Sequence, residues 1–389
     1  MIYLLTFVLL LIPAIRFDLM RIDGSKAVWL VVEFVWLVLL AGLRYRVGGD
    51  TLSYMAAFEI CPRLDELSTY DYETAEWNPL WYAFTAVFRS FGNSFTLLQV
   101  VHAAILNAAV FRFFRKYCGT CVFSAILFYF IGYFCYFNME VLRESLCIAI
   151  FLTAYPLIEK KRYLLYYAVV VFAVFIHTSA LIMAVFPLAR LFKKDNFWLT
   201  TLIVAGVVFV FKVVDIVTMI LYSTFDGATA EKIRGYTLEG ESNVAGVLVL
   251  MLSFLPYMTI MYVRNINGYT KRSDFGVLMY FVILFQATSF FLAFAARFSN
   301  YLVLFGVVYI LETFYTYYWD FHYRSFSRLL MNGAVVAMVV SMGYFYVKSK
   351  NSVLAGAHVY HRYIPYHSVF DQESDTRRER LLMNERADE

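Results

Sequence analysis

The stretch "YLLYYAVVVFAVFIHTSALIMAVFPLA", residues 163–189, decides how this chain folds. It is apolar except around its centre, and it lies between the basic groups Lys160–Arg162 and Arg190–Lys194. Short basic loops stay on the cytoplasmic side of a membrane. One long helix would place one of the two basic groups on the opposite side, whereas a hairpin of two short helices satisfies both. The sequence therefore predicts a hairpin with its tip at His177, and short crossings are tolerated where other helices shield them.

The composition of the whole chain agrees with a membrane environment. Of 389 residues, 61% are hydrophobic, 20% are aromatic and 16% are charged, and the mean hydropathy is +0.65. Soluble domains carry roughly a quarter charged residues. Several apolar runs can cross a hydrocarbon core of about 30 Å at ~1.5 Å per residue, namely Ala27–Leu43, Phe95–Phe111, Phe197–Lys212 and Leu329–Val347. An all-α polytopic membrane protein is predicted.

Basic connections set the number of crossings. The Lys/Arg-rich connections are Arg16/Arg21/Lys26, Arg112/Arg115/Lys116, Lys160/Lys161/Arg162, Arg190/Lys193/Lys194, Arg264/Lys271/Arg272 and Arg324/Arg328. If all are cytoplasmic, the chain crosses an even number of times between consecutive connections. Five hairpins and one crossing at each end give about twelve transmembrane helices. The first helix is expected to be retained, because no basic region or cleavage site marks a signal peptide.

The polar tips of the five hairpins fall on one predicted face. They are "RYRVGGD" (44–50), "NMEVLRE" (138–144), "HTS" (177–179), the loop 222–242 and "AARFSNY" (295–301). Charge at membrane depth is costly and usually serves a function. We expect a bundle over 1–350 with outer loops 44–93 and 222–242. A polar tail, 351–389, is expected to be flexible past Asp371.

The loop 44–93 has two parts. An acidic part is followed by "WNPLWYAFTAVFRSFG" (77–92), whose aromatic residues predict an interfacial helix on the outer surface. Asp71 and Glu73 have a spacing seen in metal sites for phosphorylated donors, but the general acidity of this loop explains the pairing equally well. No metal and no cofactor are predicted.

Two arginines beside a double glycine indicate an anion site. Arg44 and Arg46 can bind phosphate oxygens in a bidentate manner, and Gly48-Gly49 permits a tight turn. With Arg143 and Arg297 on the same face, the interpretation is a site for a phosphate or diphosphate. The alternative is that these arginines reach up to lipid headgroups.

Glu140, Arg143 and Glu144 have i, i+3, i+4 spacing, which places two carboxylates and a guanidinium on one helix face. Either carboxylate could act as a general base, or the group could be a buried ion pair that holds helices together. His177 is a second candidate base because its ordinary pKa is near 6.5. It could equally be a structural histidine.

Five segments resemble successive motifs of the EpsG/Wzy-type exopolysaccharide and O-antigen polymerases. They are "LRYRVGGDTLSY", "NMEVLRESLCIAIFL", "FIHTSALI", "ARFSNYL" and "YIPYHSVF", in that order. The positions that match the family pattern are Arg44, Gly48, Asp50, Tyr54, Arg143, Glu144, His177, Arg297, Tyr301, Pro365 and Tyr366. The charged extension from Asp371 onward exceeds the family pattern.

The resemblance implies a glycosyltransferase of the GT-C-like polymerase and ligase type. A glycan on undecaprenyl diphosphate would be transferred to a lipid-linked repeat unit, on the outer face of the bacterial inner membrane. Capsule or O-antigen synthesis is the implied context, with membrane lipids, a chain-length regulator and a flippase as partners and no nucleic acid. The implied substrate-binding residues are Asp50, Tyr54, Tyr301, Arg362 and Tyr366. A glycan ligase and a lipid-linked oligosaccharide flippase remain alternatives.

Overall fold

The computed structural model describes residues 1–68, 70, 78–191, 244–269, 271, 273–288, 295–319, 325–348 and 358–380. The regular secondary structure among these residues is helical, and the one β-type contact that joins two of them is an isolated antiparallel bridge between Arg44 and Ser368. The all-α prediction is thereby confirmed. The chain divides into two compact units, the first made of Met1–Ala184 and Val340–Glu389 and the second of Val185–Val339. The predicted loop 222–242, the run Phe197–Lys212 and the pair Asp71/Glu73 lie outside the described residues.

The helices of the chain follow in order. Those up to residue 174 are α1 (Ile2–Leu19), α2 (Lys26–Gly42), α3 (Thr51–Ile60), α4 (Pro79–Ser90), α5 (Phe95–Tyr117), α6 (Val122–Met139), α7 (Leu142–Glu159) and α8 (Tyr163–Val174). A 3₁₀ helix covers Thr178–Leu191. The later helices are α9 (Val244–Ile266), α10 (Ser273–Thr288), α11 (Ala295–Asn300), α12 (Val303–Trp319), α13 (Ser325–Lys348) and a 3₁₀ turn, Val359–Arg362.

The chain is a membrane protein by the length and composition of its helices. Among the described residues, α1, α5 and α6 are each long and apolar enough to cross a bilayer. Large apolar side chains are exposed along α1 and α2, for example Leu4 (64%) and Val31 (61%). A soluble protein would not leave such a surface in water. Three spans are clear, so the predicted count of twelve goes beyond what these helices establish.

The chain reversal predicted next to His177 is confirmed for the part of residues 163–189 that lies in the first unit, up to Ala184. α8 ends at Val174, and the 3₁₀ helix that starts at Thr178 runs back beside it. The hydroxyl of Tyr166 donates to the carbonyl of Met183 at 2.7 Å. Contacts between positions on either side of residues 174–176 require the chain to reverse there. The turn therefore lies next to His177.

Polar motifs and basic loops occupy opposite ends of the first unit. At one end, the Tyr366 hydroxyl donates to the carbonyl of Leu40 near the end of α2. At the other end, Lys116 at the end of α5 pairs with Glu159 at the end of α7, at 2.5 Å. This arrangement agrees with the predicted separation of polar tips from basic connections. The end that contains Leu40 and Tyr366 is called the polar end below.

A buried hydrogen-bond network joins α5 to α6 below the polar end. Asn107 donates to the Asn138 side chain at 2.8 Å, and Asn138 in turn donates to the Tyr129 hydroxyl at 2.8 Å. Buried amides need such partners because an unsatisfied polar group in an apolar interior is costly. The network fixes the last turn of α6, from which the segment 139–144 departs.

Candidate functional site

The double glycine of the first motif forms a tight turn against the break between α6 and α7. Gly48 has φ +114°, and a Cβ there would stand 2.2 Å from the carbonyl oxygen of Met139. A Cβ at Gly49 would stand 3.0 Å from the carboxyl carbon of Glu140. The Thr51 hydroxyl reinforces the contact, because it lies within hydrogen-bond distance of the Met139 carbonyl, at 3.2 Å, as well as of the Val47 carbonyl, at 2.7 Å. Only glycine can bring the backbone this close at this φ.

Glu140 is the centre of the polar end. It is 3% exposed and accepts two hydrogen bonds, from the Tyr363 hydroxyl at 2.5 Å and from Arg362 Nη1 at 3.2 Å. Glu140 and Arg362 were both predicted site residues, and the structure brings them together. A buried carboxylate needs a cation or hydrogen-bond donors nearby. Arg362 and Tyr363 supply both.

A histidine of α5 contacts the segment that carries Glu140. His102 is buried, and its Nε2 lies 2.8 Å from the carbonyl oxygen of Leu142. The Ser145 hydroxyl donates to the same carbonyl at 3.1 Å. The carbonyl of Leu142 can only accept, so His102 Nε2 carries a proton. These bonds set the direction in which α7 begins.

Arg143 and Tyr54 lie side by side. Burial raises the pKa of the Tyr54 hydroxyl, whereas the charge of Arg143 and a hydrogen bond from its side chain oppose the rise. Asp50 is close enough for its negative charge to raise this pKa further. Tyr54 also packs edge-on against Trp81 of α4, with 5.7 Å between ring centroids. Three predicted site residues, Asp50, Tyr54 and Arg143, are therefore neighbours, and buried Glu144 follows Arg143 in the first turn of α7.

The Arg44 side chain is buried within its own loop. It is 1% exposed, and its guanidinium donates to the carbonyls of Val47, at 3.0 Å, and Ala41. Burial lowers its pKa to about 10. The guanidinium is directed into its own loop, so it has no open side for a bulky lipid diphosphate. In this structure the Arg44 side chain holds its own loop through these two carbonyls, and diphosphate binding by Arg44 stays a prediction.

Arg46 is half-buried and pairs with Glu379 near the end of the described chain, at 2.5 Å. Its φ is +55°, a left-handed conformation that is uncommon for non-glycine residues. Arg378 donates to the Arg46 carbonyl at 3.2 Å. The region 371–380, which composition assigned to a flexible tail, therefore packs on the first motif.

Backbone hydrogen bonds hold the late motif, "YIPYHSVF" (363–370), and the preceding Arg362 against the loop that contains Arg44 and Gly48. The amide of Tyr45 donates to the carbonyl of His367 at 2.8 Å, and the amide of Gly48 donates to that of Arg362 at 2.9 Å. Burial raises the pKa of Tyr366 to about 12, and its hydroxyl is bonded to Leu40. Tyr366 thus anchors the 358–368 segment at the polar end.

His177 lies at the tip of the hairpin and is half-buried. Its Nδ1 lies 3.2 Å from the backbone N–H of Ser179 and 2.7 Å from the Ser179 hydroxyl. The N–H can only donate, so Nδ1 is the acceptor, and the neutral ring carries its proton on Nε2. His177 therefore presents a donor rather than a free lone pair.

The start of α4 reaches the same tip. The Asn78 side chain donates to the carbonyl of Val174 at 3.1 Å, and the Leu80 amide donates to that of Phe175 at 3.0 Å. These bonds satisfy carbonyls at the end of α8 that have no partner within the helix. The buried side of α4 includes Trp81 and Phe88, and Phe88 packs with Phe58 of α3 and Leu98 of α5.

The fifth motif lies in the second unit. Arg297 is exposed on the short helix α11, and Tyr301 is buried just after it. Ser299 accepts a hydrogen bond from Gln286 of α10 at 2.6 Å, which ties α11 to its neighbour. Arg297 and Tyr301 belong to the second unit, whereas the cluster around Glu140 belongs to the first.

No group of three or more His, Cys, Asp or Glu side chains with the arrangement of a metal site occurs among the described residues.

Two residues of the polar end, Tyr363 and Arg378, were not predicted from the sequence. Tyr363 begins the "YIPYHSVF" motif, but its spacing alone does not show that it reaches Glu140. Arg378 looks like one more charge in a mixed-charge tail.

The fold and this cluster define the class: an all-α membrane protein with a carboxylate, arginine and tyrosine site at one end of its helices. The sequence profile of the EpsG family matches residues 27–368, and the chain belongs to that family. Membership indicates an exopolysaccharide-polymerase-like function of the glycosyltransferase type. No curated protein matches the chain, and no solved structure matches it.

Proposed function

We propose that this protein polymerises a polysaccharide by transferring a growing glycan from undecaprenyl diphosphate to a sugar hydroxyl of a lipid-linked repeat unit. The observation that carries the proposal is the convergence of two distant segments on Glu140. Gly49 packs on its carboxyl group, and Arg362 and Tyr363 bond to it. Such a cluster at one end of membrane helices suits a substrate whose lipid stays in the bilayer. EpsG membership supports the same class of reaction.

The reaction sets two requirements. The acceptor hydroxyl oxygen attacks the anomeric carbon of the donor, the bond from that carbon to the diphosphate oxygen breaks, and the hydroxyl proton passes to a base. The diphosphate then leaves with an additional negative charge. The site must therefore supply a proton acceptor and cations that stabilise the developing charge.

We assign the base to the carboxylates rather than to His177. Glu140 and Glu144 begin the segment on which the site is built, and Glu140 touches the Gly48-Gly49 turn. The His177 ring accepts a hydrogen bond at Nδ1 and therefore carries its proton on Nε2, so its neutral form is a hydrogen-bond donor rather than a proton acceptor. Glu140 is the first candidate because Arg362 and Tyr363 orient it.

The cations proposed for the diphosphate at the polar end are Arg46 and Arg143, with Arg44 as the residue that shapes the loop. Arg46 and Arg143 are half-buried, so each has some access to a ligand. Guanidinium groups can hold phosphate oxygens through paired N–H donors and need no metal for this purpose. Activity is accordingly expected to survive EDTA. Loss in EDTA with recovery in magnesium would contradict this.

We further propose that the polar end faces outward from the bacterial inner membrane, within a GT-C-like bundle of about twelve crossings. Asp50, Tyr54 and Tyr366 would then contribute to sugar binding or to the walls of that site. A flippase that supplies the repeat units and a chain-length regulator are the proposed partners.

Glycolipid analysis of a deletion strain tests the proposal. A polymerase deletion should accumulate carrier-linked glycan with one repeat unit, and the wild-type gene should restore long chains. Accumulation of long carrier-linked polymer would instead identify a ligase. Repeat units confined to the cytoplasmic leaflet would identify a flippase. A Glu140→Ala gene serves as the control, because it should express protein without restoring chains.

A further inference from the structure

Arg378 is buried although it lies in a polar, mostly exposed segment. Its side chain is 2% exposed, whereas the neighbouring Arg377 is exposed. The family match ends at residue 368, so Arg378 lies beyond it. A buried guanidinium is costly unless its N–H groups are satisfied. Its partners therefore show what the burial achieves.

Three backbone carbonyls accept hydrogen bonds from Arg378. They belong to Arg46, at 3.2 Å, to His361, at 3.3 Å, and to Pro365. The first carbonyl lies in the loop that leads to Gly48, and the other two lie on either side of Arg362–Ile364. One guanidinium thus joins the two loops that meet at Glu140.

The surrounding chain keeps Arg378 in this position. Asp371 accepts from the Ser368 amide at 2.7 Å and from its hydroxyl at 3.0 Å, which turns the chain back toward the site. Asp375 accepts from the Arg378 amide at 3.2 Å, and Glu379 pairs with Arg46 at 2.5 Å. Residues 371–380 are called the clasp below.

We propose that Arg378 is a positioning residue for the transfer reaction, which holds Arg362 opposite Glu140 by fixing both loops. The inference rests on the proposed function. The clasp, which lies outside the family-matched region, would then help to position the residues of the site. Arg378 is bonded to backbone carbonyls on both sides of the Arg362–Glu140 pair, so it acts through that pair rather than on the substrate.

The test compares Arg378→Ala and Arg378→Gln with Arg377→Ala, which removes the same charge from an exposed neighbour. Turnover per folded, monodisperse protein should fall roughly tenfold to a hundredfold for the Arg378 variants, because a displacement of about 1 Å costs ~10²-fold. The KM for the lipid-linked donor should change little, and Arg377→Ala should behave as wild type. If Arg378→Ala does not fold, Arg378→Gln supplies the comparison, since its amide keeps donors for part of the carbonyl set.

A double variant separates positioning from general stability. If Arg378 acts through Arg362, then Arg362→Ala/Arg378→Gln should turn over at the rate of Arg362→Ala alone. Losses of turnover that multiply would overturn the inference.

Truncation is a further test of the clasp. A stop codon after Arg380 should leave turnover unchanged, and a stop codon after Ser374 should lower turnover as the Arg378 variants do. Wild-type protein that makes no polymer would refute the proposed function. Active wild type with active Arg378 variants would refute only the inference.

Discussion

Arg362 Nη1 lies 3.2 Å from Glu140 Oε2, across a separation of 222 residues in the sequence. The pair joins the late motif to the segment between α6 and α7, and the Gly48-Gly49 turn packs on the same carboxyl group. Three segments that are far apart along the chain are therefore held within contact distance of one carboxylate.

The first prediction concerns that carboxylate. Glu140→Gln should retain the shape of the side chain and lower turnover by roughly 10²–10⁴, the usual contribution of a positioned base. Donor affinity should change little, because a base acts mainly on rate. Single-turnover rates in nanodiscs measure the effect. Glu159→Gln, at the far end of α7, is the matched control and should be active. Normal turnover of Glu140→Gln together with inactive Glu144→Gln would move the base to Glu144.

The second prediction concerns the glycine turn. Gly48→Ala should abolish polymer and destabilise the protein by more than about 1–2 kcal/mol, the cost of a left-handed conformation alone, because the new Cβ would also overlap the Met139 carbonyl. Gly92→Ala is the control: its φ is +88°, but nothing lies within 4 Å of the added atom. Thermal unfolding in detergent should therefore separate the two. Equal losses would show that conformation, and not close packing on α6, explains Gly48.

The third prediction distinguishes a structural role for Arg44 from a ligand-binding role for Arg143. Arg44→Ala leaves buried carbonyls without donors, at a cost of about 1–3 kcal/mol for each such group, so the yield of folded protein should fall. Arg143→Ala should fold normally and bind the lipid-linked donor weakly, and Arg143→Lys should recover only part of the affinity. Size-exclusion profiles and donor titrations give both quantities. Normal donor binding by Arg143→Ala would remove Arg143 from the diphosphate site.

The fourth prediction concerns His177. His177→Gln should keep turnover within a few-fold of wild type, because a glutamine amide can also donate a hydrogen bond. His177→Ala should be clearly slower. Ser179→Ala should be mild, since the Ser179 backbone N–H remains. A 10²-fold or larger loss of turnover in His177→Gln, with donor affinity unchanged, would restore the histidine as the base.

The fifth prediction concerns sidedness. In a chain without its native cysteines, an impermeant thiol reagent added outside should label Thr178→Cys and leave Lys161→Cys protected. Glu373→Cys should be labelled too, because the chain from 358 to 380 contacts the loop of Arg46 and must share its side. Labelling at 161 with protection at 178 would invert the proposed orientation. Labelling at 178 without labelling at 373 would contradict the packing of the clasp.

Much of the fold was predictable because insertion into a membrane depends on the hydropathy of each segment and on the charges beside it. The basic groups on both sides of residues 163–189 predicted a reversal near His177, and α8 ends at Val174 as that requires. The double glycine was equally informative, since a positive φ at Gly48 is a local property. The sequence could not show what the turn packs on, because the Met139 carbonyl is brought there by α6.

By itself the sequence determined the all-α membrane fold, the hairpin and the set of polar segments, since hydropathy and charge act over one helix length. Only the tertiary structure decided the roles within that set. It buried Arg44 in its own loop, paired Glu140 with Arg362 and Tyr363, and placed Arg378 between two loops. The physical reason is that a guanidinium or carboxylate takes its role from the partners that satisfy it when it is buried. In this protein those partners come from distant parts of the chain.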